Sequence, residues 1–299
     1  MPALVICGAP AAGMPGEPSR VVDPVTPVVR ATDLGFTRGD GVFETVGIHG
    51  GRVHDMEPHL ERLAESAAML DLPAPDRGAF REAIAMAVAA LLDQLDEVPE
   101  TALCKIVYSR GDEHAAHHLA GGRPFGIAYA DVFPDITRER TLGIDVITLT
   151  RGYPRGIGDK APWLLAGAKT LSYAVNMAAL RHAAARGADD VILTTTDGFA
   201  LEAPRSSLLV RLGDDVVTPA VEGGLLHGTA QRAAFASLGR RGFACEYRDV
   251  RVDELPDADA LWLTDSVQLL RPVRSLDGVA RDVDSELTAA VLADLVAGG

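Results

Sequence analysis

Lysine is nearly absent from this 299-residue chain: Lys105, Lys160 and Lys169 are the only ones among 28 Lys and Arg. Arginine can meet any need for fixed positive charge. A retained lysine therefore asks for a reason, and a lysine amine can lose its proton and attack a carbonyl where a guanidinium cannot. Cysteine is scarce too. Cys7, Cys104 and Cys245 are odd in number and scattered, with no CxxC pair, which argues against a disulfide framework and against a metal site, and fits a reducing compartment. No apolar run reaches the roughly 20 residues of a membrane span. The start, MPALVICGAP, lacks a basic stretch ahead of its short apolar one, so a cytoplasmic protein is expected rather than a secreted one. Positive charge is in deficit. With 42 Asp and Glu the net charge is −14, which argues against nucleic acid or a membrane surface as partner but leaves room for a small anionic substrate met by a few converging arginines.

What is present is a chain with 47% hydrophobic residues, enough to bury a large core in one or two domains. Its patterning is α+β, and two halves can be made out. In residues 1–140, a strand predicted over 37–46 turns at His49-Gly-Gly51, and helices are predicted over 56–70 and 77–95. Strands over 102–109 and 125–130 complete a small N-terminal α/β domain. Residues 141–158, a strand and a Gly/Pro-rich loop, are expected to carry the crossing between domains. Residues 159–299 then form a larger, mostly β domain: a helix over 171–186, strands over 191–195 and 199–211, a helix over 228–238, and strands over 260–264 and 272–276.

Several residues invite chemistry, each with a plainer reading beside it. Lys169 lies in an apolar, small-residue run; burial would lower its pKa and free the amine, although a lysine at a helix start more often snorkels to solvent. Lys105, in mid-strand, is a rival for the same part. Glu202 follows the Asp197-Gly198 turn, where a buried carboxylate needs a cation or a proton donor. Gly228 and Thr229 open a helix after a glycine-rich loop, a natural anion site or simply an N-cap. Arg62 could clamp a phosphate or carboxylate, or pair with Glu65 in solvent. Ser266 supplies a hydroxyl at a strand end.

Taken in order, GDGVFET (39–45), PHLERLAESA (58–67), AKTLSY (168–173), ADDVILTTTDGFALE (188–202), LLHGTAQR (225–232) and LWLTDS (261–266) resemble the fold-type IV pyridoxal-phosphate enzymes. These are the branched-chain and D-amino-acid aminotransferases and 4-amino-4-deoxychorismate lyase. The resemblance spans most of the chain. It implies pyridoxal 5'-phosphate (PLP) carried on Lys169, with Glu202 on the pyridine nitrogen and Tyr173 on the phenolic oxygen. Arg62, Gly228 (through its backbone N–H), Thr229 and Ser266 would receive the phosphate. Ser207 departs from the family's usual Asn. Arg110-Gly111 is followed by His117 but has Ala115 where D-amino-acid enzymes place an arginine. The resemblance therefore implies the lyase, which makes 4-aminobenzoate and pyruvate for folate synthesis. An aminotransferase is the alternative, and a non-catalytic PLP-binding protein a further one. Arg38, Arg110 and His117 are candidates for substrate carboxylates, and a homodimer is expected as in the family.

Overall fold

The structure, a computed structural model, describes residues 1–112, 123–220 and 224–298. Two compact units emerge. The first comprises Met1–Pro134 together with Ala168–Tyr173, and the second Asp135–Gly167 with Ala174–Gly299.

In the first unit the elements are β1 (Ala3–Ile6), β2 (Arg20–Val22), α1 (Leu34–Arg38), β3 (Gly41–His49), β4 (Arg52–Val53), α2 (Met56–Met69), α3 (Arg77–Leu92), β5 (Thr101–Ser109) and β6 (Phe125–Val132). The strands form an antiparallel sheet ordered β2-β1-β6-β5-β3-β4 among the described residues. Apolar residues alternate along β3 and β5, so one face is buried: Val42, Val46 and Ile48 meet Cys104 and Ile106 in the core. The helices cover that core with stripes at helical spacing, Leu60, Leu63 and Ala67 on α2 and Phe80, Ala83, Ile84, Ala87 and Leu91 on α3. Asp76 starts α3 by accepting the Ala79 N–H at 2.9 Å, an ordinary side-chain cap. Phe80 meets Tyr108 edge-on at 5.7 Å, and Gly126 lies so close that a Cβ there would come within 2.9 Å of the Phe80 ring.

The second unit runs α4 (Thr137–Thr141), β7 (Ile144–Thr150), α5 (Ile157–Lys160), α6 (Ala174–Ala184), β8 (Asp190–Thr194), β9 (Ser207–Leu212), β10 (Asp215–Pro219), α7 (Thr229–Arg240), β11 (Ala244–Arg248), β12 (Ala260–Asp265), β13 (Leu269–Leu276), β14 (Val279–Ala280) and α8 (Ser285–Ala297). Its sheet has the order β11-β10-β9-β12-β13-β7-β8, with β14 beside β13, and mixes parallel with antiparallel pairs. Both faces are covered. One carries Ile144, Leu208, Val210, Leu263 and Val273; the other packs Leu209, Trp262 and Leu270 against Phe235 and Leu238 of α7 and Leu295 of α8. Together the two units are the α+β architecture of fold type IV. No helix among the described residues is long and apolar enough to cross a membrane.

Three expectations need correcting. The helix expected from 171 begins at Ala174, because Leu171 gives its N–H to the Gly41 carbonyl at 2.8 Å and is drawn into extended pairing. The strand expected over 199–211 is formed only from Ser207; before it the chain makes isolated bridges, Thr194↔Ala200 and Phe199↔Arg251, and Pro204 lacks a donor for a ladder. The stretch 141–158 is not a crossing. β7 is an inner strand between β13 and β8, and the units divide instead at 134/135, 167/168 and 173/174.

Phe80→Ala removes the largest side chain buried on α3 and should lower the unfolding free energy by about 3–5 kcal/mol. Urea unfolding followed by circular dichroism checks this.

Candidate active site

Lys169 is held at the edge of the first unit's sheet. Its carbonyl accepts the Phe43 N–H at 3.0 Å, and its own N–H donates to Ser66 Oγ at 3.1 Å. Thr170 forms a bridge with Val42. The Lys169 ammonium lies 4.7 Å from the centre of the Phe43 ring, and Tyr173 meets that ring edge-on at 5.2 Å. Lys105 Nζ is 5.8 Å from the same ring. Two of the three lysines thus attend one aromatic ring, each within reach of its electron-rich π system.

Neighbouring residues on a strand face opposite ways, so Glu44 points from β3 toward α2 and not toward Lys169. Arg62 clamps it in bidentate fashion, Nε to Oε1 at 2.7 Å and Nη2 to Oε2 at 2.8 Å. His59 Nδ1 donates to Oε2 at 2.8 Å. Glu44 and His59 have no side-chain exposure at all. Burial by itself would raise the Glu44 pKa, but the charge and hydrogen bonds of Arg62, helped by His59, outweigh it and hold the carboxyl far below the usual range. Arg62 is thereby fixed one helical turn before Ser66, the residue that anchors Lys169.

The remaining expected residues belong to the second unit. Glu202 is half-buried, and the strip around it pairs with β8: Leu193 N–H donates to the Glu202 carbonyl at 3.1 Å and Leu201 N–H to the Leu193 carbonyl at 2.8 Å. Gly228 caps α7 and Thr229 is buried as its first residue. Gly228 packs on Ser207: a Cβ there would sit 2.6 Å from Ser207 Oγ. Ser207 faces Thr264 across the β9/β12 pair. Thr264 Oγ1 is buried, at 2% residue exposure, and finds no hydrogen-bond partner among the described residues. Ser266 follows β12, half-buried. Hydroxyls gathered beside a helix N-terminus are the donor set a phosphate monoester requires, and the orphaned Thr264 hydroxyl marks this side of the sheet as able to take another acceptor. These hydroxyls fit the phosphate of PLP.

Several candidates have other partners. The Gly228 N–H is directed at Gln231 Oε1 of its own helix at 3.3 Å. Arg110 places its donors inside the first unit, on Asp40 at 2.7 and 3.1 Å, on the Leu70 carbonyl at 2.6 Å and on the Asp71 carbonyl at 3.1 Å, and so ties down the loop after α2. Arg62 has Glu44 as its bidentate partner. Arg38 closes α1 and is exposed. His117 lies outside the described residues. Sequence reasoning missed Glu44, His59, Ser66 and Phe43. Alternation in VFETV carried a signal, since it puts Glu44 inward with Val42 and Val46.

The lysine beside an aromatic ring in the first unit and the hydroxyl-lined helix start in the second are each features that an enzyme working with PLP needs. The model of the amino-transferase class IV family matches residues 41–276, and the chain belongs to that family; its cofactor is pyridoxal 5'-phosphate. The chain is 42% identical over 286 residues to a bifunctional aminodeoxychorismate lyase / D-amino acid transaminase of Mycobacterium tuberculosis, covering 92% of this chain and 94% of that one. A fold IV transaminase of Curtobacterium pusillum superposes with a TM-score of 0.92 at 44% identity, covering 99% of each chain. A PLP-bound aminotransferase of M. tuberculosis does so with 0.86 at 38% identity, again over 99% of each.

Because the folded Glu44 pKa is depressed, its stabilisation is present above the unfolded value of 4.5 and is lost as pH falls below it. Glu44→Gln should cost about 3–5 kcal/mol at pH 7 by leaving Arg62 unpaired, and the gap to the parent protein should narrow below pH 4.5. Denaturant titrations of both proteins across that range measure it.

Proposed function

We propose that this chain is a PLP-dependent 4-amino-4-deoxychorismate lyase that releases 4-aminobenzoate and pyruvate, a step of folate biosynthesis. The observation that carries the reading is the seat of Lys169 against the Phe43 ring, which Tyr173 also meets, taken with the likeness to the bifunctional enzyme over nearly its whole length. When bound, PLP supplies an electron sink beside the carbon that loses its proton. Lys169 would hold it through Nζ, and the same nitrogen, when free, would take the proton from the amine-bearing ring carbon of the substrate. Tyr173 would donate its O–H to the phenolic oxygen, and Glu202 would keep the pyridine nitrogen protonated. Arg62, Thr229 and Ser266 would hold the phosphate. Departure of the enolpyruvyl group leaves an aromatic ring, so no amino acceptor is consumed. Lys105, an exposed second cation on the Phe43 face, suits a substrate bearing two carboxylates. The proposal includes pairing of two copies and a cytoplasmic setting, for which the scattered cysteines and the family resemblance are the support.

Transamination of D-amino acids is the second reading. It is favoured by the second activity in the name of the M. tuberculosis relative, and Ala115 in place of arginine speaks against it.

The lyase should yield equal amounts of 4-aminobenzoate and pyruvate from aminodeoxychorismate with no keto acid present. Conversion to the amine form of the cofactor by a D-amino acid, without product from aminodeoxychorismate, would put transamination in its place. Lys169→Ala should lower kcat by about a hundred- to ten-thousand-fold, read in the same assay.

A further inference from the structure

Beneath the hydroxyl-lined face of the second unit runs a buried polar chain that none of the assigned roles uses. Arg271, on β13, is 3% exposed; its Nη2 donates to Asp190 Oδ2 at 2.9 Å and to Ser206 Oγ at 3.0 Å. Ser206 Oγ donates in turn to Asp265 Oδ2 at 3.0 Å, and Arg271 Nη2 lies 3.8 Å from that same oxygen. Asp265 is the hub. Its Oδ1 accepts the Val267 N–H at 2.9 Å and the Gln268 N–H at 2.8 Å, and Oδ2 also accepts Gln268 Nε2 at 3.1 Å. From the other side Arg140 grips the same turn, donating to the Gln268 carbonyl at 3.0 Å and the Val267 carbonyl at 3.2 Å. The turn ends at Leu269, a branched residue with φ of 61°, a conformation that surrounding contacts must enforce.

The two residues flanking this chain are the ones that matter. Ser266 is the residue between Asp265 and the bonded amide of Val267. Ser207 follows Ser206, faces Thr264 across the strands and touches Gly228 at the start of α7. A hydroxyl reaches a phosphate oxygen only if its backbone is placed to within a fraction of an ångström, and a half-exposed turn does not hold such a position alone. A buried ion pair is a poor source of net stability but a strong source of orientation. The guanidinium sits between two carboxylates, so it cannot swing away from either without leaving a charge unpaired.

We infer that Asp265 and Arg271 are positioning residues for the phosphate of the cofactor: through Ser206 they lock the Ser266 turn and the Ser207 strand start into one rigid wall. This rests on the reading that Ser266 meets that phosphate. The contribution is specific to the phosphate end, so it must separate PLP from pyridoxal, which has the same ring and aldehyde but no phosphate.

The test is the apparent Kd of the full-length apo protein for PLP and for pyridoxal, read by absorbance and fluorescence, beside the melting temperature of the apo form. Asp265→Asn keeps the shape of the side chain but weakens its acceptors, and should loosen PLP about ten-fold or more. Pyridoxal binding should stay within about two-fold, and any loss of apo melting temperature, which the remaining Arg271–Asp190 pair limits, is common to both ligands. Ser206→Ala, which deletes only the linking hydroxyl, should act in the same direction and decides the matter if Asp265→Asn does not fold. Equal loosening of PLP and pyridoxal, or no loosening of PLP, overturns the inference. Ser266→Ala separates the two levels. If it leaves the PLP-to-pyridoxal ratio unchanged, the phosphate reading itself falls and this inference with it. If it shifts the ratio while Asp265→Asn does not, only the positioning role is lost.

Discussion

Two backbone hydrogen bonds, from Phe43 to the carbonyl of Lys169 and from Leu171 to the carbonyl of Gly41, decide where Lys169 sits. They draw six residues, Ala168–Tyr173, out of their sequence surroundings and into the first unit. The glycines of GDGVFET make this possible. A Cβ on Gly41 would meet Leu171 Cδ1 at 2.7 Å, and one on Gly39, whose φ is 70°, would meet Ser172 Oγ at 2.6 Å. The strip can lie against β3 only because those side chains are missing. Lys169 then has its carbonyl, its amide and its ring partner all set by groups that cannot rotate away.

Each unit solves the same electrostatic problem in the same manner. In the first, Glu44 buries its charge to aim Arg62; in the second, Asp190 and Asp265 flank Arg271. In neither case is the ion pair an economical way to hold a fold together, since apolar residues would do that with less desolvation. What the pairs supply is direction. A guanidinium fixed on two oxygens presents its remaining edge along a single line, which a loosely hydrated lysine would not do. The chain's preference for arginine over lysine is consistent with that use.

The strands and helices with clear periodicity were legible in the sequence, as were the family and its cofactor, because motif order survives even where single residues are ordinary. What was not legible came from partners distant in sequence. Nothing around residue 171 shows that Gly41 will compete for its amide, so the helix was expected to begin there. Nothing near Arg110 announces that the Leu70 and Asp71 carbonyls will consume its donors. Gly228 gives no sign in the sequence that its amide will be directed at Gln231, three residues on. The α8 helix and strand β11 escaped notice because their apolar residues are few or evenly spread. Glu44 was available from alternation alone, but a carboxylate between valines looks like an error in the pattern until its arginine is found.

The threefold passage of the chain between the units, at 134/135, 167/168 and 173/174, bears on how the molecule can be taken apart. A fragment ending at Pro134 holds the receiving edge of β3 with nothing to fill it, while the complementary fragment carries Lys169 on a strip that has lost its template. Neither piece is a self-sufficient module. Split-protein complementation at that junction would therefore have to rebuild a six-residue strand swap, and the chemistry would return only once the swap was complete.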